Sequence, residues 1–234
     1  TNIFNVKTQE FEFHQGPIFS DIVLVDEINR APAKTQAALF EVMEERQVSM
    51  DGVTYPMGEL YTILATQNPV EQEGTYRLPE AQLDRFLMKV TMGYPSADDE
   101  LEILKRHEQH TDLVKLSDVK PVLTKEEVLQ LRSYMNDVVI DESLLRYITQ
   151  IVQQTRSSRA VYLGASPRAS VAMLQASKAY ALLQGRDFVT PEDIKAVTPS
   201  ILQHRLVLTA EAEMEGYTAY KVAMKLIDKV EVPK

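Results

Sequence analysis

The hydrophobic positions in the first 93 residues predict several short strands. An apolar run without alternating polar residues is typical of a strand covered on both faces, as in parallel sheets. Such runs are Ile22–Val25, Leu60–Ala65 (LYTILA) and Leu87–Met92 (LMKVTM). Phenylalanines that alternate with polar residues between positions 4 and 13 predict two further short strands or a ribbon.

One amphipathic helix and one hairpin are predicted between these strands. Residues 33–46 (AKTQAALFEVMEER) place apolar side chains at helical spacing and are rich in strong helix formers. The next segment, QVSMDGVTYPM, reads as a hairpin with Asp51-Gly52 at its turn. Strands and helix together favour an α/β unit over residues 1–93.

After Gly93-Tyr94-Pro95 the pattern becomes helical, so a second domain is predicted over residues 94–234. Helix starts are marked by residues that cap N-termini well, and a proline follows two of them. These caps are Ser96, Thr124, Asp141, Ser166 and Thr190. This half is therefore expected to be all-helical.

Composition narrows the function classes. The 234 residues contain no cysteine, which excludes thiolate metal sites and cysteine nucleophiles within them. A net charge of −9 and a pI near 5.0 disfavour broad contact with nucleic acid or an anionic membrane. Neither a secretory signal nor an apolar run of about 20 residues is visible, so a cytoplasmic location without membrane insertion is expected.

Two adjacent carboxylates, Asp26 and Glu27, follow the first apolar run directly. Ligands of open α/β sheets bind beyond the carboxyl ends of the strands. One carboxylate there can hold Mg²⁺ and the other can orient a water molecule that attacks a phosphate. The alternative is an ordinary solvated loop, since Asp-Glu pairs are common.

Three further residues carry groups suited to phosphate chemistry. Asn68 ends the second apolar strand and could orient a water or phosphate oxygen, or it could be a turn residue before Pro69. Arg85 could stabilise phosphoryl charge in a neighbouring subunit, or pair with Asp84 or Glu80. Arg168 lies on the first turn of a helix, where a cation is unfavourable, which indicates a compensating anion. Glu44, by contrast, is interpreted as part of a solvated acidic helix face.

These motifs, in this order, resemble the MoxR group of AAA+ ATPases. The matching segments are VDEINRAP, EVMEERQVS, ATQNPVEQEGTYRLPEAQLDRF and GASPRA, and the likeness covers essentially the whole chain. It implies an AAA+ core with a parallel sheet and helices on both faces, followed by a helical lid. Residues 1–19 resemble the end of an insertion in the second core helix, and residues 46–58 resemble the hairpin before sensor 1.

The resemblance also implies roles, with ATP and Mg²⁺ as cofactors. Asp26 corresponds to the Walker B aspartate at Mg²⁺ and Glu27 to the glutamate that polarises water. Asn68 corresponds to sensor 1, and Arg85 to an arginine finger acting in the next subunit. Arg168 corresponds to sensor 2, expected to reach the nucleotide of its own chain. The implied assembly is a ring of six subunits that acts on client proteins such as those with von Willebrand factor A domains.

The Walker A loop, G-x-x-x-x-G-K-[ST], does not occur in the 234 residues, because none of the eight glycines is followed by lysine. We therefore expect the P-loop strand to be missing from the sheet, the chain to be part of a longer protein, and these residues alone not to hydrolyse ATP.

Two other functions stay open. A nucleic-acid motor would use the same hairpin, but the tip Ser49–Gly52 carries no positive charge. The other alternative is a non-catalytic binding module, in which an AAA+ core has lost its phosphate loop during evolution.

Overall fold

The computed structural model describes residues 2–68, 76, 78–109 and 116–233. The first part of the chain forms β1 (Asn2–Asn5), β2 (Glu10–Phe13), β3 (Ile22–Val25), α1 (Ala33–Glu45), β4 (Gln47–Met50), β5 (Val53–Pro56), β6 (Thr62–Ala65) and α2 (Glu80–Leu83). The second part forms α3 (Ala97–Glu108), α4 (Lys125–Tyr134), α5 (Glu142–Ser157), β7 (Val161–Leu163), α6 (Pro167–Leu183), α7 (Pro191–Leu202), β8 (Val207–Leu208), α8 (Ala210–Met214) and α9 (Ala219–Lys229).

The strands β3 and β6 pair in parallel, from Ile22 opposite Thr62 to Val25 opposite Ala65. Their carboxyl ends therefore lie side by side. On one face, Val25 and Ala65 pack onto a small core of buried side chains, which are Ile28, Phe40 and Leu78. This core fixes α1 against the end of the sheet where the predicted site residues lie.

The opposite face of the β3–β6 sheet is open, which corrects the prediction that β3 is covered on both faces. Ile22, Leu24 and Leu64 are 67%, 66% and 55% exposed. Among the described residues, these two strands pair only with each other. Both strands have the continuous apolar sequence of strands buried on two faces. In the structure, however, only the face toward α1 is covered.

The predicted third strand, residues 87–92, is wrong. The structure assigns no strand there, and the backbone of this segment bonds to the end of α7 instead. The Lys89 amide donates to the Ser200 carbonyl at 2.9 Å, and the Gln203 side chain donates to the Lys89 carbonyl at 2.6 Å. A strand needs a neighbouring strand edge to satisfy its backbone groups, and the segment finds helix-end partners instead.

The predicted hairpin is confirmed, and a second antiparallel hairpin packs against it. β4 and β5 are joined at Asp51 and Gly52, whose φ values of 52° and 79° suit the two central positions of a type I′ turn. β1 and β2 form the other hairpin. The Phe13 and Tyr55 rings stack with centroids 3.9 Å apart, which joins the two hairpins.

The helical half has the main hydrophobic core. Buried side chains from α5, α6, α7 and α9 form one continuous cluster, with Ile151, Met173, Ile194 and Ala223 fully buried. The predicted N-caps are confirmed, with capping boxes at α3, α4 and α7. A two-stranded antiparallel pair, β7 with β8, was not predicted because strands of two or three residues carry too little periodicity. No helix in the described ranges is long and apolar enough to span a membrane.

Candidate functional site

The two carboxylate residues are held by one threonine from the neighbouring strand. Thr66 follows β6 directly, and its hydroxyl donates to Asp26 Oδ1 at 2.5 Å. Thr66 Oγ1 also accepts a hydrogen bond from the Glu27 backbone amide at 2.8 Å. Backbone bonds from Thr66 N to Val25 O (2.9 Å) and from Ile28 N to Thr66 O (3.0 Å) fix the register. The parallel pairing of β3 with β6 thus fixes the backbone positions of Asp26 and Glu27.

Thr66 was not among the residues singled out from the sequence. Its signal was available: it is the first residue after the second apolar run, as Asp26 is after the first. Parallel strands that end together place such residues next to each other. A hydroxyl has one donor and two acceptor sites, so it can serve a carboxylate and an amide at once.

The backbone turns sharply at Glu27, which separates the two carboxylates. Glu27 has φ 49° and ψ 51°, a left-handed conformation that is uncommon outside glycine and costs on the order of 1–3 kcal/mol. Ile28–Arg30 then form a single 3-10 turn, whose Ile28 carbonyl accepts from the buried Gln36 amide at 3.3 Å. Glu27 Oε2 lies 3.2 Å from Arg30 Nε. Asp26 and Glu27 therefore leave the strand end in different directions.

Asn68 belongs to the same edge of the sheet. The backbone carbonyl oxygen of Asn68 lies 3.5 Å from Nδ2 of Asn29, a residue that is 4% exposed. The structure thus brings Asp26, Glu27 and Asn68 to one edge, as the sequence predicted from the strand ends. Residues 69–75 and 77, which continue the motif, lie outside the described residues.

Arg85 and Arg168 converge on a different carboxylate, that of Glu44 near the end of α1. Arg85 Nη2 is 2.8 Å from Glu44 Oε2, and its Nη1 donates to the Phe40 carbonyl at 3.2 Å. Arg168 Nη2 pairs with the other oxygen, Glu44 Oε1. Glu44 lies on an exposed face of α1, as interpreted from the sequence, but its carboxylate also pairs with two arginines, which that interpretation did not include. Glu44 is also the anion that the position of Arg168 indicated.

The turn after Glu27 and the arginine pair contact opposite ends of α1. Gln36 contacts the turn after Glu27, and Glu44 follows Gln36 by eight residues, roughly 12 Å along the helix axis. The sequence reading assigned Arg168 to the nucleotide of its own chain. The structure groups Arg168 with Arg85, the residue that the resemblance assigns to the next subunit, and the subunit whose nucleotide Arg168 serves stays a prediction.

Asp84, beside Arg85, is held by the second domain. Arg205, whose side chain is 2% exposed, donates from Nε to Asp84 Oδ1 at 2.9 Å. The Ser166 hydroxyl donates to Asp84 Oδ2 at 2.7 Å. The remaining Arg205 donors reach the carbonyl oxygens of Asp84, Phe86, Leu87 and Ile201. Sequence reasoning missed Arg205, because nothing in its local pattern shows contacts to residues about 120 positions earlier.

Burial affects the charges at this junction. It lowers the pKa of Arg205, and the Asp84 carboxylate opposes that effect. Burial, followed by repulsion from Arg205, lowers the pKa of His204 to about 4. His204 is therefore neutral near pH 7, and its Nε2 donates to the Phe86 carbonyl at 3.1 Å, since a carbonyl can only accept. His204 therefore adds no positive charge beside Arg205, whose pKa is also lowered by repulsion from Arg168.

We expect Arg205→Met to reduce the free energy of unfolding of the complete protein by about 3–5 kcal/mol, because it leaves a largely buried carboxylate uncompensated. Asp84 is only 17% exposed, and four carbonyl oxygens lose a donor as well. Urea unfolding measures the change. The matched control is Arg146→Met on α5, which breaks an exposed pair with Glu142 and should cost about 1 kcal/mol or less. Equal losses for the two variants would contradict the role given to Arg205.

The oxygen donors at the strand ends fit magnesium better than a metal held by protein ligands alone. The described residues contain no group of three or more His, Cys, Asp or Glu side chains that could hold a metal. Mg²⁺ is commonly bound by one or two carboxylates, with water and substrate phosphates completing its coordination. Asp26, supported by Thr66, supplies a carboxylate of this kind.

Comparisons with known proteins identify the family of this chain. The family model described as "ATPase family associated with various cellular activities (AAA)" matches residues 1–88, and the AAA lid domain model matches residues 153–225. Chaperone MoxR1 of Mycobacterium tuberculosis is 40% identical over 243 residues, covering 100% of this chain and 63% of MoxR1. The uncharacterized protein YeaC of Bacillus subtilis is 48% identical, covering 99% of this chain and 72% of YeaC. The chain belongs to the MoxR family of AAA+ ATPases.

A solved structure supports the fold of this MoxR-family chain over its full length. A Cytophaga hutchinsonii protein, described provisionally as an ATPase, superposes with a TM-score of 0.89 at 42% identity. The match covers 100% of this chain and 73% of that protein. The expected fold class, an AAA+ core with a parallel sheet followed by a C-terminal helical lid, is thereby confirmed.

Proposed function

We propose that this MoxR-family chain supplies two separate halves of an ATP-hydrolysing site to two neighbouring subunits. Asp26 would hold Mg²⁺ with the nucleotide phosphates, Glu27 would polarise the attacking water, and Asn68 would orient that water or a phosphate oxygen. Arg85 and Arg168 would reach the nucleotide of the next subunit. One observation carries the proposal: Thr66 fixes Asp26 and Glu27 at one place, while Glu44 holds both arginines at another.

This separation favours a ring. If each subunit presents its carboxylates on one side and its arginines on the other, contacts must be head-to-tail. Such contacts form a ring when the rotation between subunits closes. Six subunits is the number that the family resemblance implies. Phosphoryl transfer to water would then depend on positioning and electrostatic stabilisation rather than on a covalent intermediate.

The proposed biological role is chaperone-like remodelling or maturation of partner proteins in the cytoplasm. The relative named Chaperone MoxR1 supports this role, and proteins with von Willebrand factor A domains are the client class that the resemblance implies. A nucleic-acid motor is less well supported, because the hairpin tip Ser49–Gly52 offers no cation to a phosphate and the net charge is −9. Filter binding to DNA and RNA at low salt separates the two functions.

Phosphate release by the complete protein tests the proposal. We expect turnover of ATP that stops when Mg²⁺ is chelated, since a carboxylate edge alone cannot neutralise the phosphate charge. The 234-residue chain by itself is the control. It contains no G-x-x-x-x-G-K-[ST] segment and should not turn over ATP. Turnover that is unaffected by chelation, or equal turnover by the 234-residue chain, would contradict the proposed site.

A further inference from the structure

Glu44 joins a core arginine to a lid arginine. Arg85 follows α2 in the core, and Arg168 lies on the first turn of α6 in the lid. Each takes one oxygen of the same carboxylate, Arg85 at Oε2 and Arg168 at Oε1. The side chains of Glu44 and Arg85 are 33% and 31% exposed, so this contact is partly withdrawn from solvent.

Without a carboxylate between them, the two arginines would oppose this arrangement. Like charges a few ångströms apart repel, more so where solvent is partly excluded. Arg168 also lies at the positive end of the α6 dipole. A shared anion offsets both effects, and the Phe40 carbonyl adds a second acceptor for Arg85 alone.

We propose that Glu44 is a positioning residue that holds Arg85 and Arg168 together as one two-armed unit facing the phosphates of the neighbouring subunit's nucleotide. This inference rests on the proposed ATPase function. A guanidinium has five N–H donors, and the contacts described for Arg85 use two of its nitrogens. Both arginines can therefore keep Glu44 and still offer donors to a phosphate. The unit also connects lid position to core position at the subunit boundary.

A double-mutant cycle in the complete protein separates positioning from stability. We expect Glu44→Gln to lower kcat for ATP by about 10- to 100-fold, the effect of misplacing a catalytic group by about an ångström. The matched control is Glu45→Gln, the next exposed carboxylate on α1, which should stay within about twofold. In an Arg85→Ala, Arg168→Ala background, Glu44→Gln should have no further effect, since there is nothing left to position.

Two results of this cycle would overturn the proposal. One is a Glu44→Gln variant no slower than Glu45→Gln. The other is a Glu44→Gln effect of the same size with and without the two arginines, which would make the residue merely structural. Restoration of part of the activity by Glu44→Asp supports positioning, because the charge returns on a shorter side chain. Absence of ATP turnover in the unmodified protein would contradict the proposed function instead.

A distance measurement tests the same contact without using activity. The 234 residues contain no cysteine, so spin labels can be placed at Glu41→Cys on α1 and Val171→Cys on α6, after replacing any cysteine elsewhere in the complete protein. Both positions are exposed, and each is three residues from the contact. We expect Glu44→Gln to lengthen or broaden the distance distribution and Glu45→Gln to leave it unchanged. An unchanged distribution in Glu44→Gln would show that the contacts of Arg205 and Ser166 with Asp84 hold lid to core without Glu44, which would contradict the linking role given to Glu44.

Discussion

Glu27→Gln in the complete protein is expected to keep ATP binding while its turnover falls by about 10²- to 10⁴-fold, the range for losing a positioned general base. The glutamine side chain has the same shape as glutamate, but it is neutral and cannot accept a proton from the attacking water. Residue 27 bonds to Thr66 Oγ1 through its backbone N–H and not through its side chain, so the substitution keeps this contact at the strand end. The pair of Glu27 with Arg30 joins side chains that are 36% and 50% exposed and adds little to stability.

Two measurements on the same preparation check this expectation. Equilibrium binding of ATP with Mg²⁺ should agree with the unmodified protein within about threefold, and phosphate release should fall to the range above. Glu41→Gln is the matched control, because it removes a carboxylate from the exposed face of α1. A Glu27→Gln protein that turns over ATP at the normal rate would remove Glu27 from the chemistry. A protein that no longer binds ATP would assign it to binding instead.

The carboxylate edge could be predicted from the sequence because it depends on local patterns. Two apolar runs followed by polar residues predict two strand ends, and parallel pairing puts Asp26, Glu27 and Asn68 at one edge. The helix N-caps could be predicted for the same reason, since a cap bonds to residues two or three positions away. Thr66 was within reach of this reasoning and was overlooked.

Contacts between the two domains could not be predicted this way. Glu44 meets Arg168 across 124 positions and Arg205 meets Asp84 across 121, and neither pair has a spacing that indicates contact. The sequence alone therefore predicts only that Glu44 lies on a solvated helix face, and it predicts no role for Arg205. The own-chain role that the resemblance implies for Arg168 stays a prediction, because a motif indicates a kind of chemistry but not which subunit receives it.

The segment after Arg85 illustrates a different failure. LMKVTM has the apolar composition of a buried strand, but a strand forms only where a neighbouring edge accepts its hydrogen bonds. Among the described residues, β3 and β6 bond to each other and the segment bonds to α7 and Gln203. The open face of β3–β6, with Ile22, Leu24 and Leu64 exposed, has the same origin. A hydrophobic pattern shows that a segment is suited to burial. It does not show whether a neighbouring strand or helix is present to cover it.

Arg85→Ala should lower turnover by about 10³-fold or more, the usual size of an arginine-finger effect, without loss of ATP binding. Mixing locates the residue. In an equal mixture of Arg85→Ala and Glu27→Gln subunits, about a quarter of head-to-tail interfaces join an intact Glu27 to an intact Arg85. Activity should therefore return on mixing two nearly inactive proteins, as measured by phosphate release. No recovery, with mixed rings verified by differential tagging, would contradict action in the next subunit.

The same mixing experiment decides where Arg168 acts. The shared carboxylate of Glu44 places Arg168 with Arg85, so Arg168→Ala should also recover activity when mixed with Glu27→Gln. A mixture of Arg85→Ala with Arg168→Ala should not recover, because no subunit then presents both arginines to its neighbour. If Arg168 served its own chain's nucleotide, that last mixture would contain intact sites and would regain activity. The two mixtures thus separate the proposed action of Arg168 in the next subunit from the action in its own chain that the family resemblance implies.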